Sequence, residues 1–424
     1  MRNRICRIST CFHLAISVLG LTLFMVSNAS SQEELLKKLS TANDKEVVKI
    51  ANRLSGFGIE SPKAQRLLME KLKSENINVR GACVDAIFFV GKPTDEIIAA
   101  VFDSMNTRKT VFPDARPYNE IAVDALERVG PQAMPQAVSR IKTDNKYQYF
   151  GVMDYFHRMG ADAKSVVPQL VERLKPDDRL WATTYAIAGI GPDAKAATDK
   201  LIEQLDHKDF NMVCIACRAL AAIGPEAKKA KTKLLEVLKK GNVSTRGRVM
   251  QALGGIGVAN DSDVKPLFKE NLAAFHQTIC DRTMIGIGYL GREKGKEFIP
   301  MVEATIASPK YKNKPLGALT LYKIGGPIDA VLKTFKESIK NLTLEVDVMR
   351  YYAELGPDAK AGLDVLNPYL ESEDDYLKAI ALESISKIDT SEDFLKKVKM
   401  IAEKGDYLSM RTAKQILKAA KSKK

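Results

Sequence analysis

The stretch Met212–Lys240, MVCIACRALAAIGPEAKKAKTKLLEVLKK, holds two amphipathic runs on either side of Gly224-Pro225. In the second run, apolar residues recur at spacings of three and four, the period of a helix with one buried side. Gly can take the left-handed conformation that closes a helix, and Pro fits the first turn of the next, where its missing N–H is not needed. The stretch therefore predicts two antiparallel helices joined by a tight turn.

The same pattern recurs along the chain. Gly, often followed by Pro and an "x-A-K" segment, stands at Gly58, Gly91, Gly130, Gly160, Gly191, Gly224, Gly257, Gly291, Gly326 and Gly356, at spacings between 30 and 39 residues. The clearest copies are Gly160-Ala-Asp-Ala-Lys164, Gly191-Pro-Asp-Ala-Lys195 and Gly356-Pro-Asp-Ala-Lys360. A period of this length over three hundred residues marks a stacked-repeat protein. In four units a large and a small apolar residue stand four and five residues before the Gly: Leu220 and Ala219, Ile187 and Ala186, Ile87 and Ala86, Leu126 and Ala125. This face needs both neighbouring units to be buried, so stability has to come from stacking. The helix expected over Tyr407–Lys421 closes the series.

The first 29 residues carry a different signal. Arg2, Arg4 and Arg7 precede the apolar run 11–26 (CFHLAISVLGLTLFMV), and Ser27-Asn28-Ala29 offers small residues at the positions a signal peptidase reads. The reading is a signal peptide at 1–29, ahead of a single solenoid of about 11 repeats over 30–424. An exported protein, periplasmic or secreted, follows; an uncleaved membrane anchor is the alternative. Downstream, no run reaches 18 consecutive apolar residues, so no integral membrane segment is expected in the mature chain. Cleavage would remove three Arg and no acidic residue, lowering the net charge of +13 by three. Four thiols would remain, Cys83, Cys214, Cys217 and Cys280.

The turn xGPxAK, the Ala-Ala-Leu core before it and the polar opening Val79-Arg80 resemble the HEAT-repeat family, in its short bacterial form known as PBS-lyase-like HEAT repeats. The resemblance covers roughly residues 35–421. It implies an all-α, right-handed α-solenoid, a superhelix of stacked antiparallel helix pairs. The same scaffold serves adaptors, some lyases and some enzymes, so it is nearly silent about function.

Chemistry is sparse. Cys214-x-x-Cys217 with His276 and Cys280 suggests a metal site, but the two pairs fall two units apart. Stacked helices lie about 8–10 Å from one another, which separates the pairs by roughly 16–20 Å, whereas zinc ligands sit about 2.0–2.3 Å from the metal. The thiols are read as structural, and neither metal nor cofactor is expected. The chain has no His-Glu pair, G-x-S-x-G elbow, P-loop or H-E-x-x-H, so catalysis is not expected either. The Lys-rich helix at 228–240 lacks interleaved aromatics and abundant Arg, which argues against nucleic acid.

Two features point to binding. Six residues before the closing Gly, a position expected on the concave face, the chain reads Asp85, Asp124, Asp154, Tyr185, Arg218, Gln251, Ile285, Thr320 and Arg350. The three Asp would form an acidic row for a basic or cationic ligand, or else are ordinary exposed polar positions. The unit between Gly91 and Gly130 is longer than the rest, its extra residues lying in 108–119 (RKTVFPDARPYN) with Phe112, Arg116 and Tyr118. That loop serves either recognition or packing over an irregular junction. Trp181, the single Trp, is groove wall or packing. The leading expectation is an exported scaffold that binds a protein or an extended peptide; a repeat-based enzyme or lyase and an envelope polysaccharide-binding accessory are the alternatives.

Overall fold

The computed structural model describes residues 34–57, 61–112, 116–274, 276–341 and 343–422. The leader read at 1–29 and the Gly58 turn lie outside them. The chain divides into two compact units, Met1–Ala186 and Ile187–Lys424.

In the Met1–Ala186 unit the first helices of successive pairs, Asp44–Phe57, Ile77–Ile87, Tyr118–Val129 and Lys146–Met159, pack side by side in sequence order. Pro62–Lys71, Asp95–Ser104 and Met134–Val138 form a second layer. In the Ile187–Lys424 unit the first helices are Phe210–Ile223, Val243–Gly255, Gln277–Gly288, Lys314–Lys323, Glu345–Leu355, Asp375–Ile388 and Tyr407–Ser422, again stacked in order. Second helices such as Lys231–Lys240 and Glu392–Lys404 alternate with them. The fold is thus all-α, built of stacked antiparallel helix pairs. Among the described residues the only strands are Thr110–Val111 and Arg116–Pro117, a short antiparallel pair.

Local chemistry sets the boundaries. Polar turns between pairs supply N-caps: Asn145 accepts from the Tyr147 and Gln148 N–H groups, Asp209 from Asn211, and Asp374 from Tyr376 and Leu377. Gly224 ends its helix at φ +79°. The second helix does not start directly after the Gly-Pro: a 3-10 turn, Gly224–Ala230, comes first, and the same happens at Gly160–Val166, Gly191–Ala197 and Gly356–Gly362. At three residues per turn, the fourth residue swings back under the opening Gly, and Ala163, Ala194, Ala227 and Ala359 are all fully buried.

Two of the expected helix-closing glycines behave differently. Gly325, not Gly326, takes the left-handed conformation, at φ +92°. Gly91 does not take it at all. There Gln65 reaches in from the preceding pair, and its Nε2 donates to the carbonyls of Ile87 (3.2 Å) and Lys92 (2.9 Å). A Cβ on Gly91 would collide with that amide. A buried side chain has replaced the glycine turn as the helix stop.

The core follows the repeat register. Val84, Val123, Thr184, Cys217 and Met250, all seven residues before a closing Gly, are fully buried, as is Cys83. Burial pushes the Cys83 thiol up to about 12 and the Cys217 thiol higher still. The Val243–Gly255 helix stands between the helix bearing Cys214 and Cys217 and the one bearing Cys280, and Cys280 Sγ turns to the Asn271 carbonyl. Phe210–Lys240 is long and apolar enough to cross a membrane. Gly224 divides it into two helices, and their apolar residues pack into the stack, as expected of a core pair.

Candidate functional site

The position six residues before the closing Gly is not uniform: Arg350 is exposed, while Asp124, Asp154, Tyr185, Arg218 and Ile285 are half-buried. Asp85, Gln251 and Thr320 are buried, wedged between neighbouring first helices, because small residues beside them let those helices approach closely. The Asp row is also not an empty cation site. Asp85 accepts from Arg128 Nη2 at 3.1 Å. Asp124 accepts from Arg158 Nη1 (2.6 Å) and Arg116 Nη2 (2.8 Å). Arg158 also reaches Glu127 at 3.0 Å and Asp154 at 3.2 Å. Where an Asp of this row is paired across two first helices, its partner is the Arg two residues before the closing Gly of the next pair. The chain's own guanidiniums occupy the place reserved for a basic ligand.

The electrostatics agree with the geometry. Burial penalises the Asp124 carboxylate, but Arg116 and Arg158 outweigh it and hold the carboxyl below its ordinary value. Burial likewise opposes the Arg158 charge, and Asp154 and Asp124 overcome it, raising the group further. Four carboxylates, those of Glu120, Asp124, Glu127 and Asp154, surround the two guanidiniums of Arg116 and Arg158. The cluster is therefore net acidic although its members are paired.

The next rung is aromatic. Trp181 stacks on Tyr185 with ring centroids 5.1 Å apart and planes within 9°. Tyr185 stacks on His157 at 3.8 Å and 16°. His157 Nδ1–H donates to the Tyr185 carbonyl at 2.7 Å, which orients the imidazole and ties the Lys146–Met159 helix to the one starting at Leu180. Trp181 is 42 % exposed. Sequence reasoning singled out Trp181 and Tyr185 as candidates and missed His157. Its place three residues before Gly160 was the signal that puts it opposite Tyr185.

The 108–119 loop separates into packing and display. Val111 fills the space over Gly81, whose missing side chain makes room for it. Tyr118, a candidate binding residue, is fully buried: its hydroxyl bonds Ser104 Oγ at 2.6 Å and the Arg80 guanidinium lies 4.4 Å from its ring centroid. Arg80 in turn donates to the Ser104 carbonyl and to Asn106 Oδ1. Burial accordingly raises the Tyr118 phenol. Arg116 belongs to the ionic cluster. Phe112 alone of the three is displayed, 65 % exposed, with its N–H held by Asn78 Oδ1 at 2.8 Å.

Three lysines of the Lys-rich segment are ion-paired: Lys229 with Asp199, Lys231 with Asp261 and Asp263, and Lys233 with Asp206 and with Glu236 of its own helix. Among the described residues, no group of three His, Cys, Asp or Glu is placed to hold a metal ion.

No family model matches the chain, and no curated protein does. Solved structures resemble it distantly. An engineered protein is 16 % identical with a TM-score of 0.30, the match covering 92 % of this chain and 98 % of that one. Kap121p is 10 % identical with a TM-score of 0.36, over 87 % of this chain and 46 % of its own. A homology model of the AP-3 complex in an intermediate open conformation is 12 % identical with a TM-score of 0.28, over 93 % and 91 %. At these scores the likeness says nothing about binding, and the fold rests on the chain's own packing: an α-solenoid of stacked helix pairs.

Proposed function

We propose that the chain is an exported scaffold of HEAT-like repeats, of the short bacterial kind, and that its first-helix face around Trp181, Tyr185 and His157 binds an extended segment of another protein. The observation that carries the reading is the three-ring stack, which leaves the largest apolar side chain in the chain exposed on a rigid base. Ordering these rings in advance lowers the entropic cost of binding, and Trp and Tyr are the residue types that anchor interfaces. The net-acidic cluster of Asp124, Glu127 and Asp154 lies beside the stack on the Lys146–Met159 and Tyr118–Val129 helices. It favours a partner segment with an apolar or aromatic side chain next to a basic one. The signal-peptide reading of residues 1–29 supports a periplasmic or secreted setting for this encounter.

Trp181 is the only Trp in the sequence, so intrinsic fluorescence reads this face directly. Titration with extended peptides that pair an aromatic with Lys or Arg is expected to shift the emission and saturate, whereas acidic peptides of equal length do not. A Tyr185→Ala variant, which removes the base of the stack, should weaken the binding at least about tenfold. If only neutral oligosaccharides shift the emission, the flat Trp181 face is a sugar platform and the peptide reading fails.

A further inference from the structure

Within the Ile187–Lys424 unit three first helices, Phe210–Ile223, Val243–Gly255 and Gln277–Gly288, approach one another at backbone distance. A Cβ on Gly254 would strike the Gly286 carbonyl, and one on Gly255 would lie 2.6 Å from Ala221 Cα. One on Gly286 would lie 2.7 Å from the Met250 carbonyl oxygen. Half-buried arginines stand on all three helices: Arg218 on the first, Arg248 (with Arg246) on the middle one and Arg282 on the third. The stem of Arg282 crosses onto the middle helix, its Cγ 3.2 Å from the place a Gly247 side chain would occupy. Arg248 donates to Gln251 Oε1 at 2.9 Å, and Gln251 Nε2 donates to the Tyr289 hydroxyl at 3.2 Å.

Arg248 and Arg282 are not matched as the arginines of the Asp row are. Among the described residues, neither makes an ion pair with a carboxylate. The adjacent acid, Asp281, is taken by Gln277 Nε2, the Tyr311 hydroxyl and Asn313 Nδ2. Burial lowers the Arg248 and Arg282 groups; the Arg282 and Arg218 cations lower Arg248 further, whereas at Arg282 the pull of Asp281 offsets part of the effect of burial and of Arg218. Like charges held half-buried on a rigid base cost free energy unless a counter-charge joins them.

We propose that Arg248 and Arg282, with Arg218 beside them, form a binding site for a doubly charged tetrahedral oxyanion, a phosphoryl or sulfuryl group carried on a ligand. Planar guanidinium forks present paired N–H donors that match two oxygens at a time. A single carboxylate would leave one of the two cations uncompensated. The site lies in the other unit from the Trp181 face and is read by a different residue, so either proposal can fail without the other.

Cys214 provides the readout. It is the half-buried thiol one turn before Arg218, whereas Cys83, Cys217 and Cys280 are buried. Burial raises the Cys214 thiol, and Thr245, Arg248 and Arg282 counter that by lowering it. Alkylation proceeds through the thiolate, so an anion that neutralises the arginines slows it. The full-length protein would be treated with neutral iodoacetamide at fixed ionic strength while inorganic phosphate or sulfate is titrated, and modification followed at the Cys214 peptide by mass spectrometry. The expected result is a saturable fall in rate of about three- to tenfold, the size of a shift of about half to one pKa unit; acetate leaves the rate unchanged. The relative strength of phosphate and sulfate identifies the preferred group. In Arg248→Gln/Arg282→Gln the phosphate effect disappears, and in Arg282→Lys, which keeps the charge without the fork, it weakens. A rate indifferent to phosphate and sulfate, or a phosphate effect equal in Arg282→Lys and wild type, overturns the proposal.

Discussion

Arg158 is a junction of three carboxylates on two helices, and its removal exposes how the Asp row works. Arg158→Met keeps much of the side-chain volume but leaves Asp124, Glu127 and Asp154 without their shared donor. Charge-assisted hydrogen bonds in partly buried settings are worth about 1.5–3 kcal/mol, and urea unfolding should show a loss of that order. The acid limb follows from Asp124, whose carboxyl lies below its ordinary value of about 3.9. Its contribution is complete above that ordinary value and is lost as pH falls below it. The wild type should therefore lose stability below about pH 4, and Arg158→Met should lose less over the same range. An unchanged acid limb in the variant would separate Arg158 from Asp124. The position of the Asp row was legible from spacing alone. Its neutralisation was legible too, since Arg128 and Arg158 both stand two residues before a closing Gly, but only to a reading that aligned two register positions across adjacent pairs. The role of Tyr118 was left open between recognition and packing, because the Ser104 hydroxyl and Arg80 that bury it come from the two helices before it.

At the scale of elements, two glycines separate backbone conformation from packing. Gly130 has φ +71° and ψ −151°, a region essentially reserved for glycine, with nothing within 4 Å of a Cβ position, so Gly130→Ala should cost only the backbone penalty of about 1–3 kcal/mol. Gly254 is an ordinary helical residue pressed against the Gly286 carbonyl. Gly254→Ala, a favourable change by helix propensity, should cost more than about 3 kcal/mol by forcing two helices apart. Thermal unfolding of the two variants ranks the effects, and the reverse order would mean that the close approach carries little. The Gly-Pro turns were legible because their chemistry is local. The helix stop at Gly91 was not, since its capping amide, Gln65, comes from 22 residues upstream of the carbonyl it binds.

For the whole molecule, stacking means that each pair is stabilised by its immediate neighbours and a perturbation decays with distance along the chain. Arg158→Met should raise amide hydrogen exchange in Tyr118–Val129 and Lys146–Met159 and leave Asp375–Ile388 at wild-type protection. Uniform loss of protection along the chain would contradict that decay. The repeat period made the all-α stack legible, while the division into Met1–Ala186 and Ile187–Lys424 left no mark in the spacing, because the Gly-Pro turns run through the boundary unbroken. The positive charge was legible as a total but not as a pattern. Lys229, Lys231 and Lys233 are ion-paired, whereas Arg248 and Arg282 stand on tightly packed helices without a carboxylate partner.

The pairing of Asp85 with Arg128 and of Asp124 with Arg158 has a polarity: a socket on one pair accepts a plug from the pair that follows. Asp154 shares the Arg158 plug, since the corresponding place before Gly191 is Gly189, which has no side chain to offer. Repeats in this segment are consequently not interchangeable bricks. Excising one, duplicating one or shuffling two would bring a socket against glycine or leave a plug without its socket. The order of assembly is thus written into the side chains as a key code, and the aromatic rung of Trp181, Tyr185 and His157 stands where that code ends.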